Sequence, residues 1–382
     1  MSASRDSTIA TSTIDSEVDP QPQVRTSVSP PPPKPLNNDE SDSDAKSSAL
    51  ISLSPNGFHL KPPPPPHTLS TYHTPTPDLF QTAHFGTAHL DPSKYSLKVC
   101  GLVTQPLTFS LHDLQSLPPT TLTATHECYG SPLNPPPTKA LWRIGNVQWT
   151  GVRLSHILAL TGPLLPGASF VWASAPDHGT FGGVKAEMYQ KDLPLEKALQ
   201  PEVLLAWEMN GAPLPSGHGG PVRLVVPGWF GTNSVKWVEN VEVREKRAEG
   251  PFTTTFYNEP DPTNEKGRTR PVWEVQVNSL VVRPAPEELV KKEDGRGVEV
   301  RGWAWGCDDI EGVEVNFDNG ESWVDAVVEE KVGFGWQGFR VELELGVGRH
   351  RIIARARLRD GSVQPLSGAR NHCHCVEFEV SE

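Results

Sequence analysis

The sequence predicts an α+β domain followed by an all-β, immunoglobulin-like domain. Three observations lead there. Apolar runs between residues 95 and 243 alternate with short helical stretches, whereas after Val272 the pattern is nearly all strand. Asp318-Asn319-Gly320 and Asp360-Gly361 have hairpin-turn chemistry and separate strands in the second half. The strands of that half are short and closely spaced, as in a sandwich.

Residues 1–50 are rich in Ser, Thr, Pro and acids, with almost no aromatics, and contain the run PPPPKP. Such a stretch cannot offset its own ordering entropy, so residues 1–67 are expected to form a disordered tail ending in the stiff connector Pro62–Pro66. The first domain is expected over 68–250. Its strands are Tyr95–Val103, the run to Cys128, Val147–Leu154, Phe170–Ala175, Val203–Met209, Val222–Val226 and Val235–Val243. A short helix or turn lies within Thr108–Leu117. A helix over Leu154–Leu160 is stopped by Gly162-Pro163, and a helical turn begins at Leu195. Asn210-Gly211 ends the Val203 run as a tight turn. A linker or arm covers 251–267. The second domain, 268–382, carries strands at Val272–Val282, Val298–Trp305, Gly312–Phe317, Phe339–Leu345, His350–Leu358 and His374–Val380.

Composition narrows the function. A formal charge of −12 over 382 residues argues against non-specific nucleic-acid binding. Five cysteines make no disulfide framework and point to a reducing compartment. No apolar run reaches the ~18 residues of a membrane span, and the N-terminus lacks a secretory h-region. A cytoplasmic location is expected, with the mitochondrion and peroxisome left open.

The stretch TLTATHECYGSPL, 121–133, attracts most attention. A β-rich run breaks at Tyr129-Gly130, and Cys128 stands at the break, where a thiol can be aimed into a cleft. Its thiolate is a soft metal ligand as well as a nucleophile, whereas a packed free cysteine would leave the same trace. Strand alternation puts His126 and Cys128 on one face and Glu127 on the other. In SGHGGPVR, 216–223, glycines beside His218 and Arg223 can offer N–H groups and a cation to an anion. In PGWFGTNSVKW, 227–237, Lys236 follows a glycine-rich turn. His67, His73, His84 and His89 lack the spacing of a compact zinc site, and no HExxH, CxxC, phosphate-binding loop, dinucleotide fingerprint or GxSxG elbow occurs. Cys373-His374-Cys375 reads as strand packing.

With these pieces in order, the chain resembles the sulfite oxidase family of molybdenum enzymes. The resemblance rests on VLLAWEMNGAPLPSGHGGPVRLVVPGWFGTNSVKWVENVEV (203–243), VQWTGVRLSHIL (147–158) and GWAWGCDDIEGVEVNFDNGESW (302–323). It implies a molybdopterin-binding domain followed by an immunoglobulin-like dimerisation domain, and hence a homodimer. It implies molybdenum held by the dithiolene of one molybdopterin and by the thiolate of Cys128. His84, His218, Arg223 and Lys236 match family positions that hold the pterin or its phosphate, and Thr232, Asn233 and Ser234 lie in the same cradle. Trp207 stands where the family places a tyrosine beside the metal. The activity implied is two-electron oxygen-atom transfer. No haem-binding HPGG segment precedes the first domain, so no haem is expected and the electron acceptor would be external, dioxygen or a cytochrome.

Departures from the family bear on the substrate. Thr82-Ala83-His84 replaces an Arg-Asn-His triplet, and Tyr129–Leu133 lacks the arginines that follow the family's cysteine. Cys307-Asp308-Asp309 replaces a glycine-rich loop carrying another arginine. A small sulfur- or nitrogen-containing substrate less charged or larger than sulfite is therefore expected. A genuine sulfite oxidase and a catalytically silent dimeric scaffold are the alternatives; an adhesion-type sandwich protein would leave the first domain unexplained.

Overall fold

A computed structural model of the chain describes residues 34–35, 51–54, 58–131, 142–261, 263, 267–292, 296–318 and 321–382. The tail expectation falls largely outside them, as do the loop Pro132–Pro137 and the turn residues Asn319 and Gly320. Strand pairing begins before residue 68: His59–Lys61 pairs with Gln81–Ala83, and Ile51–Ser54 with Thr87–Leu90.

The first domain is built on two sheets. One runs, in spatial order, Lys34–Pro35, Leu107–Ser110, Ser96–Gly101, Asn240–Arg244, Phe170–Ala175 and Tyr189–Pro194. Asn240–Arg244 lies parallel to Ser96–Gly101, so the end of the domain is stitched beside its beginning. The second sheet places Thr120–Glu127 beside Ile144–Arg153, which pairs with Leu204–Met209, itself flanked by Ala212–Pro213 and Arg223–Val225. Asn210 and Gly211 both take positive φ, as a two-residue hairpin turn requires. The helix Leu111–Gln115 starts at a capping box between Ser110 and Asp113. The core between these elements contains Leu97, Val99, Val171, Leu205 and Val241.

The second domain is a single eight-stranded path that curls on itself. Val324–Val328, which the sequence pattern did not reveal, makes the curl by pairing with both Ile310–Asn316 and Gln337–Leu343. Its half-exposed and exposed residues alternate, but VDAVV puts an apolar residue, Val327, among the exposed ones, so no apolar–polar alternation marks the strand. Val300 and Phe339 from one half share a core with Val315 and Ile352 from the other. Val272–Val282 is strand only from Asn278 to Arg283; Val272 and Val275 instead pack against Trp142, Phe230 and Trp305.

That aromatic cluster joins the domains. Trp336 is fully buried, stacks on Trp303 with centroids 4.8 Å apart, and donates its indole N–H to the Tyr72 carbonyl at 3.0 Å. Trp303 donates in the same way to the Leu69 carbonyl at 2.6 Å. Truncating Trp336→Ala removes a buried ring and leaves the Tyr72 carbonyl to Asn146 Nδ2 alone, at 3.0 Å, and should cost about 3–5 kcal/mol, chiefly for the lost ring, read as a lower denaturation midpoint.

Candidate active site

The strand Thr120–Glu127 is held in register against Ile144–Arg153, with Glu127 opposite Ile144. The Cys128 N–H continues the ladder by donating to the Arg143 carbonyl at 2.9 Å. Chain alternation then does what the sequence predicted. His126 and Cys128 face a cleft, while Glu127 is fully buried on the other side against Trp305 and Arg370.

The cleft brings together His84, His126, Cys128, Asp177, Tyr189, His218, Arg223, Thr232, Ser234, Lys236 and Tyr257. Arg223, on Arg223–Val225, is buried and donates to the carbonyls of His218 at 2.8 Å and Ser234 at 3.1 Å. Its second Nη also lies 3.4 Å from His126 Nε2, and its Nε has no partner. Lys236 Nζ donates to the carbonyls of Thr82 at 3.1 Å and Gly217 at 2.8 Å. Gly219 has φ +104°, and a Cβ there would stand 2.8 Å from Lys236 Cβ, so the turn must be glycine for the lysine to pass.

The protein supplies these cations with little negative charge. Asp177 is the one carboxylate among the cleft residues, and burial pushes it up to about 7. Burial and the Arg223 guanidinium push Lys236 down to about 7, and burial lowers Arg223 to about 9. Burial and neighbouring Lys236 hold both His84 and His218 at about 3, so these imidazoles are neutral near pH 7. They act as hydrogen-bonding groups, leaving Arg223 and Lys236 as the cations. Buried cations without carboxylate partners suit an anionic ligand, and a single facing thiol suits one soft ligand to a metal. Among the described residues, no group of three or more His, Cys, Asp or Glu side chains forms a metal site of its own. One thiol and two cations facing the same cleft fit a group with an anionic end and one soft metal contact.

Several expectations change. Trp207 is placed away from the cleft: it lies where the pairing of Leu204–Met209 slips at a bulge, and its ring joins the main core. The resemblance sets Trp207 against the family's tyrosine by position in the chain, and Trp207 is not among the residues lining the cleft. Tyr257, not Trp207, lines the cleft, with its hydroxyl 2.5 Å from His84 Nε2 and φ +58°. Tyr257 follows the short helix Pro251–Thr254 in a stretch without periodicity, which is why the pattern missed it. Asn233 does not line the cleft; its amide donates to the carbonyls of Phe230 and Val272 and shapes the loop beneath Thr232 and Ser234. Gly231 does line it. Cys307 faces a neighbouring cavity with Glu274 and Asp360, and Asp309 pairs with Lys331 and Arg359, so this loop does not wall the cleft. Of His67, His73, His84 and His89 only His84 reaches the site, with Phe181 from Gly179–Phe181 edge-on to its ring at 4.7 Å.

Between pH about 7 and 10.5 the folded chain has released the Lys236 proton while the unfolded chain keeps it, so stability rises with pH in that window. Asp177 acts in the opposite sense, but only below about pH 7. Anion-free and metal-free protein should therefore melt higher at pH 9 than at pH 7, and Lys236→Met should flatten that slope in a calorimetric scan.

Residues 84–252 match the oxidoreductase molybdopterin binding domain, and residues 269–376 match the Mo-co oxidoreductase dimerisation domain. The chain is 32% identical over 341 residues to sulfite oxidase of Arabidopsis thaliana, covering 79% of this chain and 85% of that protein. It is 31% identical over 333 residues to mitochondrial sulfite oxidase of Homo sapiens, covering 79% of this chain but 59% of that protein, so it spans about three-fifths of that relative's length. The crystal structure of the sulfane dehydrogenase SoxCD from Paracoccus pantotrophus aligns with a TM-score of 0.69 at 30% identity, covering 82% of this chain and 79% of that one. The cytoplasmic expectation is corrected here: four mammalian relatives are mitochondrial sulfite oxidases, which favours the mitochondrion over the cytoplasm.

Proposed function

The chain belongs to the sulfite oxidase family of molybdopterin-dependent oxidoreductases, and from this premise we propose that its cleft holds a molybdenum–molybdopterin cofactor and transfers an oxygen atom to or from a small sulfur- or nitrogen-containing substrate. The observation that carries the proposal is one thiol, Cys128, at a cleft whose buried Arg223 and part-buried Lys236 lack carboxylate partners. The bound cofactor supplies two-electron redox chemistry at a metal; the protein binds, orients and insulates it.

Cys128 is the protein ligand. Arg223 and Lys236 neutralise the anionic end, while neutral His84 and His218 and the loop residues Thr232 and Ser234 supply directional hydrogen bonds. Asn233 supports the loop through its backbone contacts. Tyr257, hydrogen-bonded to His84, is the group placed to hold or pass a proton at its Oη. Thr82 and Ala83 line this side of the cleft without charge, and the arginine behind them, Arg143, is buried and donates to Thr82 Oγ1 at 3.3 Å and to the Gly130 carbonyl. A substrate less charged than a small dianion, or larger, fits such a wall. The protein acts as a homodimer through residues 269–376 and delivers electrons to an external acceptor, dioxygen or a cytochrome. A mitochondrial location goes with this reading.

Sulfite itself is the second reading, favoured by the 32% identity with a plant sulfite oxidase. Protein expressed in a host that makes molybdopterin should carry near one molybdenum per chain, measured by mass spectrometry of the metal, and Cys128→Ser should lose it. Metal-free wild-type protein from that host would sink the proposal in favour of a silent scaffold. Tyr257→Phe should keep its metal and lose about 10²-fold in kcat. Comparing reduction by sulfite with reduction by neutral thioethers, and reoxidation by sulfoxides, separates the two substrate readings.

A further inference from the structure

The strand that presents Cys128 is gripped from behind by the C-terminal domain. Glu127 accepts a hydrogen bond from Trp305 Nε1 at 2.8 Å and another from Arg370 Nη1 at 3.1 Å. The same Nη1 reaches the Ser131 carbonyl at 3.0 Å, while Nη2 donates to Gln276 Oε1 at 3.2 Å. One guanidinium thus ties down residues 127 and 131, on either side of Cys128. It lies 4.4 Å from the Phe230 ring centroid and 5.2 Å from that of Tyr129, so the loop's own aromatic is held as well. Further back, Thr125 donates through its N–H, at 2.9 Å, and its hydroxyl, at 3.0 Å, to the Phe334 carbonyl. Phe334 N–H donates to the Thr123 carbonyl at 2.9 Å.

Both Nη groups of Arg370 are committed to protein acceptors, and Arg370 does not line the cleft. Its geometry is that of a brace. We propose that Arg370 is a positioning residue that, through Glu127 and the Ser131 carbonyl, fixes the direction of the Cys128 thiol. The C-terminal domain is then part of a site it does not touch. The proposal rests on the reading of Cys128 as the cleft thiol, but not on the metal.

The test uses the full chain from a host unable to make molybdopterin, with iodoacetamide labelling followed peptide by peptide. The half-exposed Cys100 and Cys307 serve as internal references. Arg370→Met and Glu127→Gln should each raise the labelling rate of Cys128 about tenfold over the references, because the loop gains a local opening. The double variant should do no more than Arg370→Met alone, since that variant already removes the guanidinium through which Glu127 is held. Arg370→Lys should recover part of the protection. If Arg370→Met fails to fold, the isosteric Glu127→Gln decides alone. A Cys128 rate unchanged or lowered, additive effects, or equal acceleration of all three thiols would each overturn the proposal. The labelling is read without metal, so failure to bind molybdenum and failure of the brace are separate results.

Discussion

Alternation along one strand organises this protein. Side chains of successive strand residues leave on opposite faces, and at His126, Glu127 and Cys128 the two faces lead to different places. His126 and Cys128 enter the cleft, while Glu127 enters the junction with the C-terminal domain. The pairing with Ile144–Arg153 fixes which face is which, and a slip of one residue would bury the thiol and expose the carboxylate to the cleft. The bonds from Cys128 N–H to Arg143 and from Arg143 N–H to the Ser131 hydroxyl, the latter at 2.7 Å, carry that register into the loop.

Charge decides what the cleft can hold. Burial lowers the affinity of Arg223 and Lys236 for their protons, and burial together with neighbouring cations leaves His84, His126 and His218 uncharged; Arg223 and Lys236 spend their hydrogen bonds on carbonyls. A carbonyl satisfies the hydrogen bonds of a cation without cancelling its charge. The arrangement is costly when empty of anions and favourable when an anion enters. Asp177, close to neutrality, limits how much negative charge the cleft accepts.

Aromatic rings, one arginine and a set of main-chain bonds, among them Thr125 N–H to the Phe334 carbonyl, join the two domains. Trp303, Trp305 and Trp336 give the junction apolar area, and their indole N–H groups each find an acceptor across it. Glu127 is buried, and burial raises its proton affinity while Arg370 opposes that rise. An acid here is tolerable because its partner arrives from the other domain. Stability of the junction and geometry of the thiol therefore share the same contacts.

Periodic apolar pattern was enough to place Leu154–Leu160, Phe170–Ala175 and Val298–Trp305, since each buries a face whose spacing is local. The motif stretches around His218, Arg223 and Lys236 were legible because glycine and cation chemistry lie close together in the chain. Choosing His84 among four histidines, discarding Trp207 and finding Tyr257 needed the folded chain. Trp207 owes its assignment to position in the chain alone, and Tyr257 occupies an aperiodic arm that bends back over the cleft. Arg370 lies 243 residues beyond Glu127, and no local pattern announces a partner at that distance. What the sequence by itself determined was the set of groups on offer, a thiol, imidazoles and two cations beside glycine turns, because composition and local spacing are properties of the chain. Which of those groups meet, and which arginine braces the thiol, was decided by tertiary structure, because both depend on long-range register.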